Sequence, residues 1–427
     1  MPELFFVNNL LDRPAEAETE KGQSERKDYS GTAILAEPFR ELYFPAGDVF
    51  LKTALNLKDE VVQSTWTQRG FRCRDPTVYK GLSGTAFMCF RSHQITGNNE
   101  DLALCSEIID SCAAVARSLR HHVTFLCGEA GIYALGAVVA KYKGDNQRKD
   151  FFLNLFCEVA QERALSVGPE DGGFGMPYEL MYGRAGFLWA ALFVNKHLGG
   201  ETIPWRVLSP IVDAVLAGGR TGASHTLCPL MYQWNGTRYW GAAHGLAGIM
   251  HVLLHFPLNK EDADDVKGTL HYMIRNRFPE SGNYPSSEGN KRDKLVQWCH
   301  GAPGVAMSLC KAAQVLPGEP VFRQAAVEAG ELVWKKGLLR KVGLCHGISG
   351  NAYTFLALYR LTKEELYLNR AKAFTGFLYN NGRRLIASGQ MHGGDHPYSL
   401  FEGLAGTACL YFDMVKPEHA RFPGFEL

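Results

Sequence analysis

The sequence predicts an all-α fold in which seven repeated helix pairs, each entered through a Gly-x-x-Gly turn, close into a double ring. Three observations lead there. The turn recurs at Gly81/Gly84, Gly128/Gly131, Gly183/Gly186, Gly245/Gly248, Gly301/Gly304, Gly347/Gly350 and Gly403/Gly406. Successive first glycines stand 47, 55, 62, 56, 46 and 56 residues apart, which leaves room for two helices per interval. The last repeat is as apolar as the middle ones, whereas an open stack of repeats needs a polar end cap, so closure is favoured.

Taken in order, residues 1–45 read as an N-terminal arm, with a polar and flexible stretch over Asp12–Thr32, ahead of a single domain over 46–427. In residues 100–121, Leu104, Ile108, Cys112, Val115 and Leu119 recur at helical spacing and predict one amphipathic stripe. The runs after the turns differ. Ile132–Ala140 and Phe187–Val194 are apolar nearly all round, as in a helix buried on every side. Each module therefore pairs an outer amphipathic helix with an inner buried one. Residues 279–294 read as a long surface loop.

Glycine before an inner helix permits positive φ and close backbone approach. In a ring the inner N-termini converge, and their free N–H groups and dipoles favour anions. The residue before each first glycine then faces the shared space: Lys80, Cys127, Tyr182, His244, His300, His346 and Glu402.

Composition narrows the function. Charge is balanced, with 45 basic and 44 acidic residues, which argues against a nucleic-acid binder with a broad basic face. The N-terminus lacks the basic start and long apolar stretch of a secretory signal, and Pro2 excludes N-myristoylation. These features favour a cytoplasmic location, where the eleven cysteines are expected to be buried, metal-binding or catalytic rather than disulfide-bonded. No apolar run reaches the roughly 18 residues of a membrane span, so a receptor with seven spans is disfavoured; peripheral membrane contact stays open.

Two repeats share a start, Cys299-His300-Gly301 and Cys345-His346-Gly347. Thiolate and imidazole at equivalent places in a repeat point to zinc. The plainer alternative is that buried cysteines pack as small hydrophobes while the histidines hydrogen-bond locally. Four protein ligands make a closed structural site and three plus water a catalytic one; spacing alone leaves both open.

The segments Trp298-Cys-His-Gly-Ala-Pro-Gly304, Cys345-His-Gly-Ile-Ser-Gly-Asn-Ala-Tyr353, Ala242-Ala-His-Gly-Leu-Ala-Gly248 and Ser399-Leu-Phe-Glu-Gly-Leu-Ala-Gly406 resemble the eukaryotic lanthionine synthetase C-like proteins, from about residue 75 to the C-terminus. The resemblance implies a seven-fold α/α double barrel, or toroid, with one zinc held by Cys299, Cys345 and His346, and an open place on the metal. It implies glutathione as co-substrate, added to dehydroalanine or dehydrobutyrine residues of proteins or to related small electrophiles. Glutathione contacts fall on Lys341 and on His392, Gly393, Gly394 and Asp395. Two positions depart from the family. Leu4 stands where animal members carry an arginine, and His392 stands where arginine is common, so two fixed positive charges are missing. His244 matches the proposed proton donor, and Glu179 lies where related cyclases carry a catalytic aspartate. An isolated histidine is more commonly a hydrogen-bonded core residue, and Glu179 reads equally as a structural carboxylate. The competing function is a non-enzymatic signalling protein that senses glutathione or another ligand in the same pocket.

Overall fold

The computed structural model describes residues 4–10, 47–119, 122–164 and 176–427. Most of the expected arm, including Asp12–Thr32, lies outside the described residues. The described residues form fourteen α-helices and no named strand. Seven helices begin immediately after the first glycine of a turn: α2 (Leu82–Thr96), α4 (Glu129–Tyr142), α6 (Arg184–Leu198), α8 (Leu246–Leu253), α10 (Ala302–Val315), α12 (Ile348–Thr362) and α14 (Leu404–Asp413). They form the inner ring, each packed against the next, and α14 returns to pack against α2. The outer ring consists of α1 (Gly47–Thr65), α3 (Asn99–Val115), α5 (Asn146–Val159), α7 (Trp205–Gly222), α9 (Lys260–Arg275), α11 (Pro320–Lys336) and α13 (Glu365–Ala387). Each outer helix backs the inner helix that precedes it in sequence. The exception makes the closure: α1, first in the chain, backs α14, the last.

Burial follows the predicted division. Every residue from Glu129 to Ala140 is buried, whereas α9 buries one stripe through Val266, Leu270 and Met273. The stripe expected on α3 is off-centre. Its buried face runs through Leu102, Cys105, Ile108, Ile109 and Cys112, while Val115 is exposed and Leu104 only half-buried. The helix also tightens into a 3₁₀ turn at Ala116–Leu119, which breaks the spacing that tied Leu119 to it. The 279–294 loop is not purely a surface element, because Asn283 and Tyr284 are buried in it.

The two glycines of each turn have a common physical reason. The loop before each inner helix doubles back over the helix start. A Cβ on the second glycine would overlap the carbonyl oxygen six residues earlier in all seven repeats: Val78, Phe125, Leu180, Ala242, Trp298, Leu344 and Leu400. Close approach, not positive φ, is therefore the general requirement. Only Gly301 has positive φ, at +107°; the other six first glycines lie between −99° and −136°. The expectation of free N–H groups at the helix starts is also corrected. In six repeats the first helical amide donates to the carbonyl seven residues earlier, as Leu246 N does to Tyr239 O at 3.2 Å and Ile348 N to Lys341 O at 2.9 Å. In the fifth repeat the side chain of Asn283 replaces that carbonyl, accepting from Ala302 N at 3.0 Å.

The C-terminal residues pack into the core of the ring. Phe422 and Phe425 are fully buried and close on Trp298, whose ring stacks on Phe422 at 5.1 Å. This braces the residue just before Cys299. No helix among the described residues is long and apolar enough to cross a membrane.

The second glycines supply a test. Gly350→Ala or Gly131→Ala forces a methyl against a carbonyl oxygen that belongs to the same loop, so the loop must move. The expected loss of stability is about 3 kcal/mol or more, read as a lowered denaturant midpoint, whereas Gly318→Ala, where an added Cβ meets nothing, changes it little.

Candidate metal centre

The loops before the inner helices are joined edge to edge. The residue two places before the first glycine is equivalent in every repeat. At that position Cys299 N donates to Cys345 O (3.2 Å), Cys345 N to Phe401 O (2.8 Å), Phe401 N to Tyr79 O (3.1 Å) and Tyr79 N to Leu126 O (2.9 Å). Thr124 extends the series, its hydroxyl donating to Met181 O at 2.6 Å. The ring thus presents equivalent side chains at fixed spacing around one chamber.

Two of those side chains are Cys299 and Cys345, both buried. With His346 they form a group whose ligand atoms all lie within 4.8 Å of one another. His300, the fourth candidate, is not in this group. Burial, then the neighbouring Cys299, pushes the Cys345 thiol well above its ordinary range. Burial opposes protonation of His346, but the hydrogen bond and charge of Cys345 outweigh it and raise its pKa. Two buried sulfurs beside an imidazole are an arrangement that a divalent cation can hold as thiolate and imidazole ligands. The donor set is of the kind zinc favours, and it is one short of the four that zinc usually takes.

The pre-glycine residues line the same chamber in sequence. The His244 ring lies flat on Trp234, with centroids 4.1 Å apart and planes at 4°, and Tyr182 and Tyr239 flank it. Its Nδ1 is 3.1 Å from Glu179 Oε2. Glu179 is itself fixed: its carboxylate accepts Met181 N at 2.6 Å and Tyr182 N at 2.8 Å, and it is 2% exposed. Glu179 therefore does two things at once, holding its own loop and orienting His244. A carboxylate accepts the Nδ1 proton, so Nε2 is the ring atom left for exchange. His300 sits between His244 and His346; burial, then those two neighbours, lowers it to about 4 and keeps it neutral.

Lys341 and His392, far apart in sequence, pair as a parallel backbone bridge, and His392 N donates to Arg340 O at 2.8 Å. Leu4 joins them, its carbonyl accepting Arg340 N at 3.1 Å. Gly394, at φ +101°, turns the chain so that its amide meets His392 Nδ1 at 3.0 Å, and Asp395 Oδ1 lies 3.7 Å from His392 Nε2. The positions named from the resemblance thus gather on one rim, beside His346, whose protonation Lys341 opposes. Gly393 and Gly394 make the turn that brings Asp395 to that rim.

Comparison with known proteins identifies the family. The model of the family described as "Lanthionine synthetase C-like protein" matches residues 73–427. The chain belongs to this family. The LanC-like protein GCL1 of Arabidopsis thaliana is 56% identical over 402 residues, covering 92% of this chain and 93% of that protein. A protein of Danio rerio named glutathione S-transferase LANCL1 is 39% identical over 365 residues, covering 83% and 86%. The structure of nisin cyclase shares the helical toroid fold, with a TM-score of 0.59 at 16% identity, over 85% of this chain and 94% of that one.

Several residues of this LanC-like site escape sequence reasoning. Trp234 and Tyr239 wall His244, and Tyr79 occupies the repeat position of the two cysteines. Burial, then Cys345 and Cys299, raises the Tyr79 hydroxyl far above its usual range, and it hydrogen-bonds Cys345. Repeat alignment would have found Tyr79, which stands two places before Gly81.

The metal assignment has a direct test. Cys299→Ala, Cys345→Ala and His346→Ala should each abolish stoichiometric zinc after dialysis, by elemental analysis. His300→Ala should retain one zinc per chain, because an outer position costs at most roughly 10–100-fold in affinity. Loss of zinc from His300→Ala with retention in His346→Ala would reverse the assignment.

Proposed function

We propose that this chain is a zinc-dependent transferase that adds the sulfur of glutathione to the β-carbon of dehydroalanine or dehydrobutyrine residues, or of related small electrophiles. The observation that carries the reading is a three-residue Cys299/Cys345/His346 donor set in the same chamber as a histidine held by a buried carboxylate. A relative 39% identical to this chain is named a glutathione S-transferase, which supports the same class of reaction here.

Zinc bound by this donor set supplies the Lewis acidity that keeps a thiol ionised near neutral pH. The residues of the chain supply the rest. Sulfur bonds to Cβ as the Cα=Cβ double bond breaks, and the electron pair moves to Cα and its carbonyl. His244 delivers a proton from Nε2 to Cα, so the thiol proton is lost on one side, a proton is gained on the other, and nothing leaves. Glu179 holds the ring by Nδ1 and fixes its direction, and Trp234 prevents it from tilting. Lys341 is assigned to a glutathione carboxylate and Asp395 to its amino group, with His392, Gly393 and Gly394 setting their positions. Arg340 lies on the same rim, its guanidinium over Phe6 at 4.5 Å, and brings fixed positive charge to the place where Leu4 and His392 lack it.

The test is conversion of a dehydroalanine peptide, followed as the mass gain of one glutathione above the spontaneous rate. His244→Asn should lower kcat by about 10²–10⁴-fold with zinc retained, the usual range for losing a general acid. Lys341→Ala should chiefly raise KM for glutathione. Glutathione binding with no turnover above background would contradict the enzyme reading and favour a ligand-sensing protein that uses the same chamber.

A further inference from the structure

A second feature lies beside the chamber and shares only Asp395 with the groups assigned to glutathione. After α1 the chain makes a 3₁₀ turn over Thr67–Arg69, then places Gly70 and Phe71 in the left-handed region, at φ +66° and +58°. Positive φ is uncommon for a residue as large as phenylalanine and is sustained only where the surroundings impose it. Here the Phe71 ring meets the edge of buried Trp66 at 5.5 Å, and Phe71 N donates to Trp66 O at 3.2 Å. Downstream, Cys73 touches Cys112 of α3, with the sulfurs 3.7 Å apart. The loop is thus anchored at both ends, while Phe71 stays 56% exposed.

The result is three arginines on one rim. Arg69, Arg72 and Arg74 are exposed and line a pocket of about 360 Å³, together with Lys80 and residues 395–399. Among the described residues, none of the three arginines has an ion-pair partner. Two acids share the pocket lining, Asp75 and Asp395, and Asp395 faces His392 at 3.7 Å. Asp75 accepts from the Thr77 amide and hydroxyl at 2.9 and 2.7 Å and lies 3.9 Å from Lys80. His396 and Glu402 pair with each other at 2.6 Å. Lys80 belongs to the pre-glycine set and Asp395 to the rim with Lys341, so the pocket adjoins the chamber.

Resting on the reading of the chain as an enzyme for dehydroamino-acid residues, we propose that this pocket docks a carboxylate-rich segment of the acceptor polypeptide flanking the reacting residue. Three planar guanidiniums within six residues suit several carboxylates along a chain. Phe71 offers an apolar contact at the same edge. With a net charge of only +1, the chain lacks the excess of basic residues that a nucleic acid would call for.

Fluorescence anisotropy on the full zinc-loaded protein tests the proposal, using labelled peptides with alanine at the reacting position and glutamate, serine or lysine flanks. Binding then reads docking without chemistry. The glutamate peptide should bind about tenfold more tightly than the serine peptide at low salt, since exposed ion pairs each contribute only a few-fold. That preference should collapse in 0.5 M salt and in Arg69→Gln/Arg72→Gln/Arg74→Gln, with unchanged zinc content and melting temperature as controls for folding. Equal binding of all three peptides, or a preference that survives in the triple variant, would overturn the proposal. Competitive displacement by free glutathione would also overturn it, because the pocket would then be glutathione's own. Selective binding without conversion of the matching dehydroalanine peptide would leave the docking site standing and remove the enzyme reading.

Discussion

The hydrogen bond from the Cys299 amide to the Cys345 carbonyl is the contact on which the site depends. It is one member of a series that ties neighbouring loops together at equivalent residues, and it fixes the spacing of the two backbones that carry the sulfurs. It forms only because each loop folds back onto its inner helix, and each fold requires glycine where any Cβ would meet a carbonyl. The candidate ligand set is therefore a consequence of the repeat. Two adjacent copies of one position carry cysteine, and the repeat brings them together without a dedicated metal-binding loop.

The same geometry gives each neighbouring position a different use. Tyr79 and Phe401 stand where Cys299 and Cys345 stand, and stack on each other at 4.7 Å as an aromatic continuation of the wall. One residue further on, His346 completes the candidate metal group, His300 sits half-buried and neutral, and His244 turns to Glu179. One structural slot thus holds a candidate ligand, a spacer and the proposed proton donor, according to which side chain the repeat places in it. The two groups of candidate residues are also spatially divided. The chamber holds the cysteines and His244, while the rim gathers Lys341, His392 and Asp395 from loops that meet only in the folded ring.

Much of this was legible because the sequence repeats itself. The glycine pairs marked every inner helix start, and the duplicated Cys-His-Gly offered four candidate ligands, of which the resemblance implied the three whose ligand atoms lie within 4.8 Å of one another. Other features were obscured for physical reasons. The α3 stripe was mis-centred because its buried face includes small and polar residues such as Asp101 and Ser106, which apolar spacing does not count. The role of the glycines was partly misread, since close approach and positive φ both select glycine and only backbone coordinates separate them. Trp234, Tyr239 and Asn283 lie in connecting segments with no periodicity, and their contacts to His244, His300 and Ala302 come from tertiary structure. The N-terminal contact of Leu4 with Arg340 was equally invisible, because it joins residues more than 300 positions apart.

In the proposed reaction Cys299, Cys345 and His346 hold zinc with one place left for a thiol. Titrating the cobalt-substituted protein with glutathione tests it most directly. A sulfur-to-cobalt absorption band should grow with glutathione, saturate at one equivalent per chain, and be absent with S-methylglutathione. A cobalt spectrum that ignores glutathione would contradict it, showing either a closed metal site or a different thiol.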